Sequence, residues 1–169
     1  MGVIDYSQRR EGIIPLLPRM FGIISRNMRE IAPTGNTLEE DYVSWTQAMH
    51  DELQNPDKHW IFVFSGEELA GYTLYRIIGD TLHMDEIQVA KGFQGDGRAF
   101  PMLMGKLLRD AEEARVHTLR CYVNRLNIKS RGIVQAMGLR AVEEKPRGFI
   151  YRGRAEDAHD WYYTKYVAI

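Results

Sequence analysis

The chain has 169 residues, of which 44% are hydrophobic and 27% charged, as is typical of a globular protein. Its 22 Lys and Arg against 23 Asp and Glu give a formal charge of -1, which offers no electrostatic basis for binding nucleic acid or an anionic membrane. One cysteine excludes an internal disulfide, and no cysteine-based metal site is suggested. Without a signal-peptide core or a bilayer-spanning apolar run, we expect one cytoplasmic domain, residues 1–169.

The first half of the sequence predicts a short strand, two helices and then a run of three strands. The strand covers residues 3–8, and apolar spacing near 3.6 predicts a helix over 11–29, in which Pro18 indicates a kink or a later start. Thr37 with the acidic residues after it predicts the start of a second helix, which runs to about residue 53. Turn residues then separate strands over 59–64, 69–78 and 81–89.

The second half alternates helices and strands. A glycine-bearing turn opens a helix to about residue 115, a strand covers 118–123, and a helix over 128–137 is closed by Gly138 as a left-handed cap. The tail, residues 139–167, reads as two strands joined through residues 154–157. This order predicts an α/β (α+β) fold with a mixed sheet covered by helices.

The turn between the third strand of the run and the next helix is the most informative segment. Its six residues are Gln94, Gly95, Asp96, Gly97, Arg98 and Ala99. The first N–H groups of a helix lack intrahelical partners, and glycine lets a phosphate approach the backbone, so this turn predicts an anion site. It lacks the Gly-Lys-Ser/Thr of a P-loop and the third glycine of a dinucleotide fingerprint, so those two nucleotide sites are excluded.

With Val89 five residues before Gln94, the turn resembles the Gln/Arg-x-x-Gly-x-Gly/Ala loop of the GNAT acyltransferase superfamily. A second resemblance is Val123, then Asn127 four residues later, then a helix that ends at Met137-Gly138-Leu139. The family implies a mostly antiparallel sheet of six to seven strands flanked by about four helices. It also implies acetyl-CoA as co-substrate, no metal, and a homodimer as one form of assembly.

The resemblance also implies where acetyl-CoA binds. The amides of residues 94–99 would hold its pyrophosphate, and the pantetheine arm would pair with the backbone of Ile87 and Val89. Asn127 belongs to the same set of cofactor-binding positions.

The reaction implied is attack of an amine on the acetyl thioester, which needs a group that accepts a proton. The polar candidates are His83, Asp85 and Glu86 in strand 81–89. Strict alternation places His83 and Asp85 on one face and Glu86 on the other, whereas a β-bulge would bring Glu86 into play. Resemblance favours His83 and Asp85.

The general acid is left open, because Val134 stands where the family often has tyrosine. Three tyrosines of the tail are stand-ins: Tyr151, Tyr162 and Tyr163. Aromatic residues that could line a substrate pocket are Tyr42, Trp45, Trp60, Tyr72 and Tyr75. The expected acceptor is the primary amine of a small molecule or peptide. Two alternatives are a non-catalytic CoA-binding regulatory module and a transferase for longer acyl chains.

Overall fold

A computed structural model describes residues 1–168. The strands are β1 (Gly2–Asp5), β2 (Lys58–Ser65), β3 (Glu68–Ile78), β4 (Thr81–Val89), β5 (Thr118–Asn124), β6 (Arg140–Lys145) and β7 (Gly148–Arg154). The helices are α1 (Leu17–Met28), α2 (Leu38–Glu52), α3 (Ala99–Glu113), α4 (Ile128–Ala136) and α5 (Ala155–Tyr162).

The seven strands form one sheet in the order β1-β2-β3-β4-β5-β7-β6. β4 and β5 pair in parallel, whereas β1 with β2, β5 with β7, and β6 with β7 are antiparallel. The predicted fold class, a mixed and mostly antiparallel sheet with flanking helices, is confirmed.

Local sequence signals set several helix boundaries. α1 begins at Leu17, after two short 3-10 turns, with Pro18 in its first turn, where a missing N–H costs little. This is the later start that Pro18 predicted. Thr37 and Glu40 form a capping box at the start of α2, in which the Thr37 hydroxyl accepts from the Glu40 N–H at 3.1 Å. Gly138 follows α4 with φ +96°, as predicted for a left-handed cap.

The predicted junction at residues 154–157 is wrong. The two tail strands are β6 and β7, and residue 155 instead begins α5, which is followed by a π-helical turn over Tyr163–Val167. Glu156 and Asp157 place negative charge in the first turn, and Ala155 and Ala158 are buried. The acidic first turn was therefore the overlooked helix signal.

Contacts group the described residues into two compact units, one comprising Met1–Leu74 with Glu86–Leu103 and the other Tyr75–Asp85 with residues from 104 onward. The core of the first unit joins α1 and α2 to the inner strands, and its buried members include Met20, Phe62 and Leu74. Trp60 and Tyr72 are fully buried in that core. That the chain is a single domain remains a prediction.

The second unit contains a buried charged network. The Tyr75 hydroxyl donates to one oxygen of Asp110 at 2.5 Å, and the Lys106 ammonium donates to the other at 2.7 Å. Asp110 is 8% exposed and Tyr75 is fully buried, so Tyr75 belongs to the core as well. A buried carboxylate is tolerated because both of its oxygens have hydrogen-bond donors. None of the helices within residues 1–168 combines the length and apolar character needed to cross a membrane.

Replacing Asp110 with alanine should lower the free energy of unfolding by about 2–4 kcal/mol, because the buried Tyr75 hydroxyl and the Lys106 ammonium each lose one short hydrogen bond to a carboxylate. Urea denaturation measures this change. Asp51→Ala, in the exposed last turn of α2, is the matched control and should alter stability by less than about 0.5 kcal/mol. Equal effects of the two substitutions would contradict this account.

Candidate active site

The glycine turn has an open backbone. It lies between a 3-10 turn at Lys91–Phe93 and the first residue of α3, Ala99. Gly97 has φ +70°, a conformation that favours glycine. A Cβ built on Gly95 or on Gly97 would meet nothing within 4 Å. The turn therefore presents backbone to open space beside the N-terminus of a long helix, as an anion site requires.

Hydrogen bonds from two amide side chains brace this turn. Gln94 Nε2 donates to the Val89 carbonyl at 3.0 Å and to Asn27 Oδ1 at 3.2 Å. Asn27 Nδ2 donates to the same Val89 carbonyl at 2.9 Å and to Gln88 Oε1 at 3.0 Å. The Gln94 side chain thus holds the turn against the end of β4, while the backbone of the turn stays exposed. Sequence reasoning missed Asn27, which lies far from the motif in the chain.

Asp96 brings a negative charge into the turn. Its Oδ1 accepts a hydrogen bond from the Arg98 N–H at 3.0 Å, and its Oδ2 lies 3.8 Å from the Arg98 guanidinium. One backbone donor of the predicted anion site is therefore already paired within the turn. The Arg98 side chain is 67% exposed, so Arg98 is available to an incoming phosphate.

The pairing of β4 with β5 covers only the first part of β4. Its register runs over four pairs, from Thr81 with Thr118 to Met84 with Cys121. The next residue, Asp85, is exposed overall although its side chain is only 21% exposed, so its exposed surface is mainly backbone. Ile87 and Val89, the positions predicted to pair with pantetheine, lie beyond this register.

The side chains of β4 do not alternate regularly. Tyr72 and Arg76 lie on one face of β3, because residues an even number apart in a strand point the same way. The Tyr72 hydroxyl donates to Glu86 at 2.5 Å, and the Arg76 guanidinium donates to both oxygens of Asp85 at 2.8 and 2.9 Å. The prediction of strict alternation is therefore wrong between Asp85 and Glu86. Both side chains lie on the same face of the sheet, as a β-bulge would produce.

His83 lies in a cationic environment. It pairs across the sheet with Arg120, and it is partly buried. Burial lowers the pKa of His83 below 6.5, and the charges of Arg76 and Arg120 lower it further, although Asp85 opposes the shift. His83 is therefore neutral at pH 7 and able to accept a proton.

The remaining predicted positions have clear structural surroundings. The Asn127 side chain caps α4 by accepting from the Ser130 N–H at 3.2 Å. Val134 is 7% exposed on the same helix. The Tyr151 hydroxyl is buried and accepts from Arg131 Nε at 3.2 Å. Tyr162 and Tyr163 lie in α5 and the π-helical turn rather than in strands.

The single thiol is a core group. Cys121 is 8% exposed, and burial raises its pKa to about 12, so a nucleophilic thiolate does not form near neutral pH. Within the described part of the chain, no three His, Cys, Asp or Glu side chains are grouped as metal ligands.

Comparison with known proteins identifies the protein family. The profile described as "Acetyltransferase (GNAT) family" matches residues 24–139, more than half of the chain. No significant match was found among curated proteins. Three similar solved structures are an acetyltransferase of Thermus thermophilus, a GNAT-family acetyltransferase of Staphylococcus aureus Mu50, and the PaiA N-acetyltransferase of Thermoplasma acidophilum, which was crystallised in complex with coenzyme A.

The similarity to these three structures supports the fold alone, because the sequence identities are low. The Thermoplasma enzyme is 13% identical with a TM-score of 0.68, covering 91% of this chain and 99% of its own. The Thermus enzyme is 22% identical with a TM-score of 0.63 and coverage of 91% and 97%; the Staphylococcus enzyme is 12% identical with a TM-score of 0.66 and coverage of 91% and 98%. The chain belongs to the GNAT acetyltransferase family, and it is an acyltransferase of that type.

Substituting Gly97 with alanine should lower the free energy of unfolding by about 1 kcal/mol, because an L-residue is strained in the left-handed region. Gly95→Ala is the matched control, since it adds the same methyl group to the same turn without a positive φ and without a clash. Chemical denaturation should separate the two variants. A loss of stability in Gly95→Ala as large as that in Gly97→Ala would show that strain is not the cause.

Proposed function

We propose that this protein transfers the acetyl group of acetyl-CoA to a primary amine of a small molecule or peptide. The observation that carries the proposal is the exposed glycine turn at the N-terminus of α3, with open space at Gly95 and Gly97. Its backbone amides and the positive end of the helix dipole suit a pyrophosphate. The coenzyme A complex of the Thermoplasma enzyme, which shares the fold, supports the same assignment.

The residues that would hold acetyl-CoA are those of the turn and of the end of β4. The Gln94 and Asn27 side chains fix the turn, the backbone of residues 95–97 would bind the pyrophosphate, and the Arg98 side chain would add a cationic contact. Ile87 and Val89 offer strand backbone for the pantetheine arm. When bound, acetyl-CoA supplies the activated acetyl group and a thiol leaving group.

His83 is the group best suited to accept the proton of the amine. An alkylammonium has a pKa near 10, so an unprotonated base is needed to release its lone pair near pH 7. The lowered pKa of His83 keeps it neutral there. Asp85 is engaged with Arg76 through two hydrogen bonds, and Glu86 with Tyr72. Protonation of either carboxylate would weaken those contacts, so we assign them to positioning roles.

Release of CoA, the second half of the reaction, does not require a general acid from the protein. A thiolate is a good leaving group, and the buried Val134 has no proton to give. Tyr151 is held by Arg131 within the core. We therefore propose that CoA leaves as the thiolate and takes its proton from water, without a dedicated tyrosine acid. The absence of a hydroxyl at Val134 is also what favours the alternative of a non-catalytic CoA-binding regulatory module.

The experiment that tests the proposal combines binding with turnover. Saturating acetyl-CoA, at about one hundred times its dissociation constant, should add about 2.7 kcal/mol of stability and raise the melting temperature. A panel of amines is then screened for release of free CoA thiol. An unchanged melting temperature would refute the proposal. Stabilisation without thiol release from any amine would favour the regulatory module, and stronger stabilisation by longer acyl-CoAs would favour a different acyl donor.

Changing Asp96 to asparagine should tighten acetyl-CoA binding by about two- to five-fold, because it removes a negative charge near the pyrophosphate and keeps an oxygen acceptor for the Arg98 N–H. Calorimetric titration at low and high salt measures the effect, which should shrink as salt screens the charge. Asp57→Asn, at an exposed turn far along the chain, should leave the affinity unchanged. Weaker binding by Asp96→Asn would contradict the electrostatic argument.

The pH dependence of kcat/KM should show an acidic limb below pH 6.5, because protonation of His83 removes the base. His83→Gln should lower kcat/KM by about 10²-fold and abolish this limb. Stability offers a second readout, since the unfolded chain takes up the proton first as pH falls below 6.5 and the free energy of unfolding then decreases.

His83→Gln should lose this contribution to the pH dependence of stability. The exposed His50→Gln variant is the control and should keep the acidic limb of the rate profile. An unchanged limb in His83→Gln would assign the base to another group.

A further inference from the structure

The sheet carries a row of basic residues across four neighbouring strands. In the register, His83 of β4 pairs with Arg120 of β5, Arg120 pairs with Arg152 of β7, and Arg152 pairs with Arg140 of β6. Directly opposite residues in a sheet project from the same face, so the four side chains stand side by side. With strands about 4.8 Å apart, the row extends over about 14 Å.

Repulsion within such a row destabilises the folded protein unless negative charge offsets it, because like charges directly opposite one another in a sheet are destabilising. The neighbouring carboxylates already have cationic partners: Asp85 with Arg76, Glu143 with Lys145, and Asp157 with Arg154. Arg120 contributes, after Lys145, to lowering the pKa of Glu143. Arg140 contributes, after Arg154, to lowering the pKa of Asp157. Within residues 1–168, however, no ion pair or side-chain hydrogen bond joins Arg120, Arg140 or Arg152 to a carboxylate.

The row is also accessible. Arg140 and Arg152 are exposed, and Arg120 and His83 are half-buried. A guanidinium presents a rigid fork of N–H donors that matches a phosphate or carboxylate. Three such groups, concentrated in a protein of formal charge -1, form a local cationic surface suited to an anion.

We propose that Arg120 and Arg152, with Arg140 at the outer end, bind an anionic group of the acceptor, so that the substrate is an amine that also carries a phosphate or a carboxylate. This rests on the proposed acetyl transfer for the ligand's role as acceptor. The row ends at His83, the proposed base, so the anion would lie about 5–10 Å from it, one or two strand spacings away. That span matches a short amine with its anionic group a few bonds from the nitrogen.

Residue-resolved NMR tests the site without any need for turnover. Amide resonances are followed while inorganic phosphate, and separately acetate, is titrated up to 50 mM. We expect saturable shifts at residues 120 and 152 with at least one of the two anions, and the anion that binds more tightly identifies the chemistry. Shifts at residues 95–98 would report the glycine turn instead, so failure of the row and failure of the proposed acetyl-CoA site are distinguishable.

The variants are the double substitution Arg120→Gln with Arg152→Gln and, as control of charge, Arg9→Gln in the exposed loop after β1. The double variant should weaken anion binding at the row at least tenfold, and its melting temperature should be unchanged or higher because repulsion is relieved. Arg9→Gln should bind as the unaltered protein does. No saturable shift at the row, binding that survives the double variant, or a fall in its melting temperature would overturn the proposal.

Discussion

The carbonyl of Val89 is the point on which the candidate site depends. It ends β4, and it accepts hydrogen bonds from Gln94 at 3.0 Å and from Asn27 of α1 at 2.9 Å. These bonds fix where the chain leaves the strand, and so where the turn and the first residues of α3 stand. With the side chains of Gln94 and Asn27 occupied in this way, backbone rather than side-chain groups face the open space at Gly95 and Gly97.

A second constraint is the break in alternation within β4. Asp85 and Glu86 both reach one face of β3, and each is held there by a donor, Arg76 or Tyr72. The pairing of β4 with β5 ends at Met84, one residue before the alternation of side chains is broken. Beyond Met84 the strand therefore has no register partner in β5, and the polar side chains of Asp85 and Glu86 share one side. A neutral His83 among arginines is compatible with proton acceptance near pH 7.

Much of the fold could be predicted from the sequence, because strong local signals agreed with the final packing. Pro18, Thr37 and Gly138 each mark a helix boundary that the structure has. The tail was mispredicted because apolar and aromatic residues there resemble a strand, while the acidic first turn of α5 was the weaker signal. At the site, the turn was recognisable from its glycines. The brace from Asn27 and the arginine row depend on contacts distant in sequence, which no local pattern encodes.

The central claim is that the glycine turn holds the diphosphate of coenzyme A. Calorimetric titration of acetyl-CoA against acetyl-pantetheine, which keeps the thioester and the pantetheine arm but lacks the diphosphate and nucleotide, tests it most directly. If the turn supplies the main binding contacts, acetyl-pantetheine should bind at least about 100-fold more weakly, the loss of about two charge-assisted hydrogen bonds. Equal affinities for the two compounds would contradict the claim.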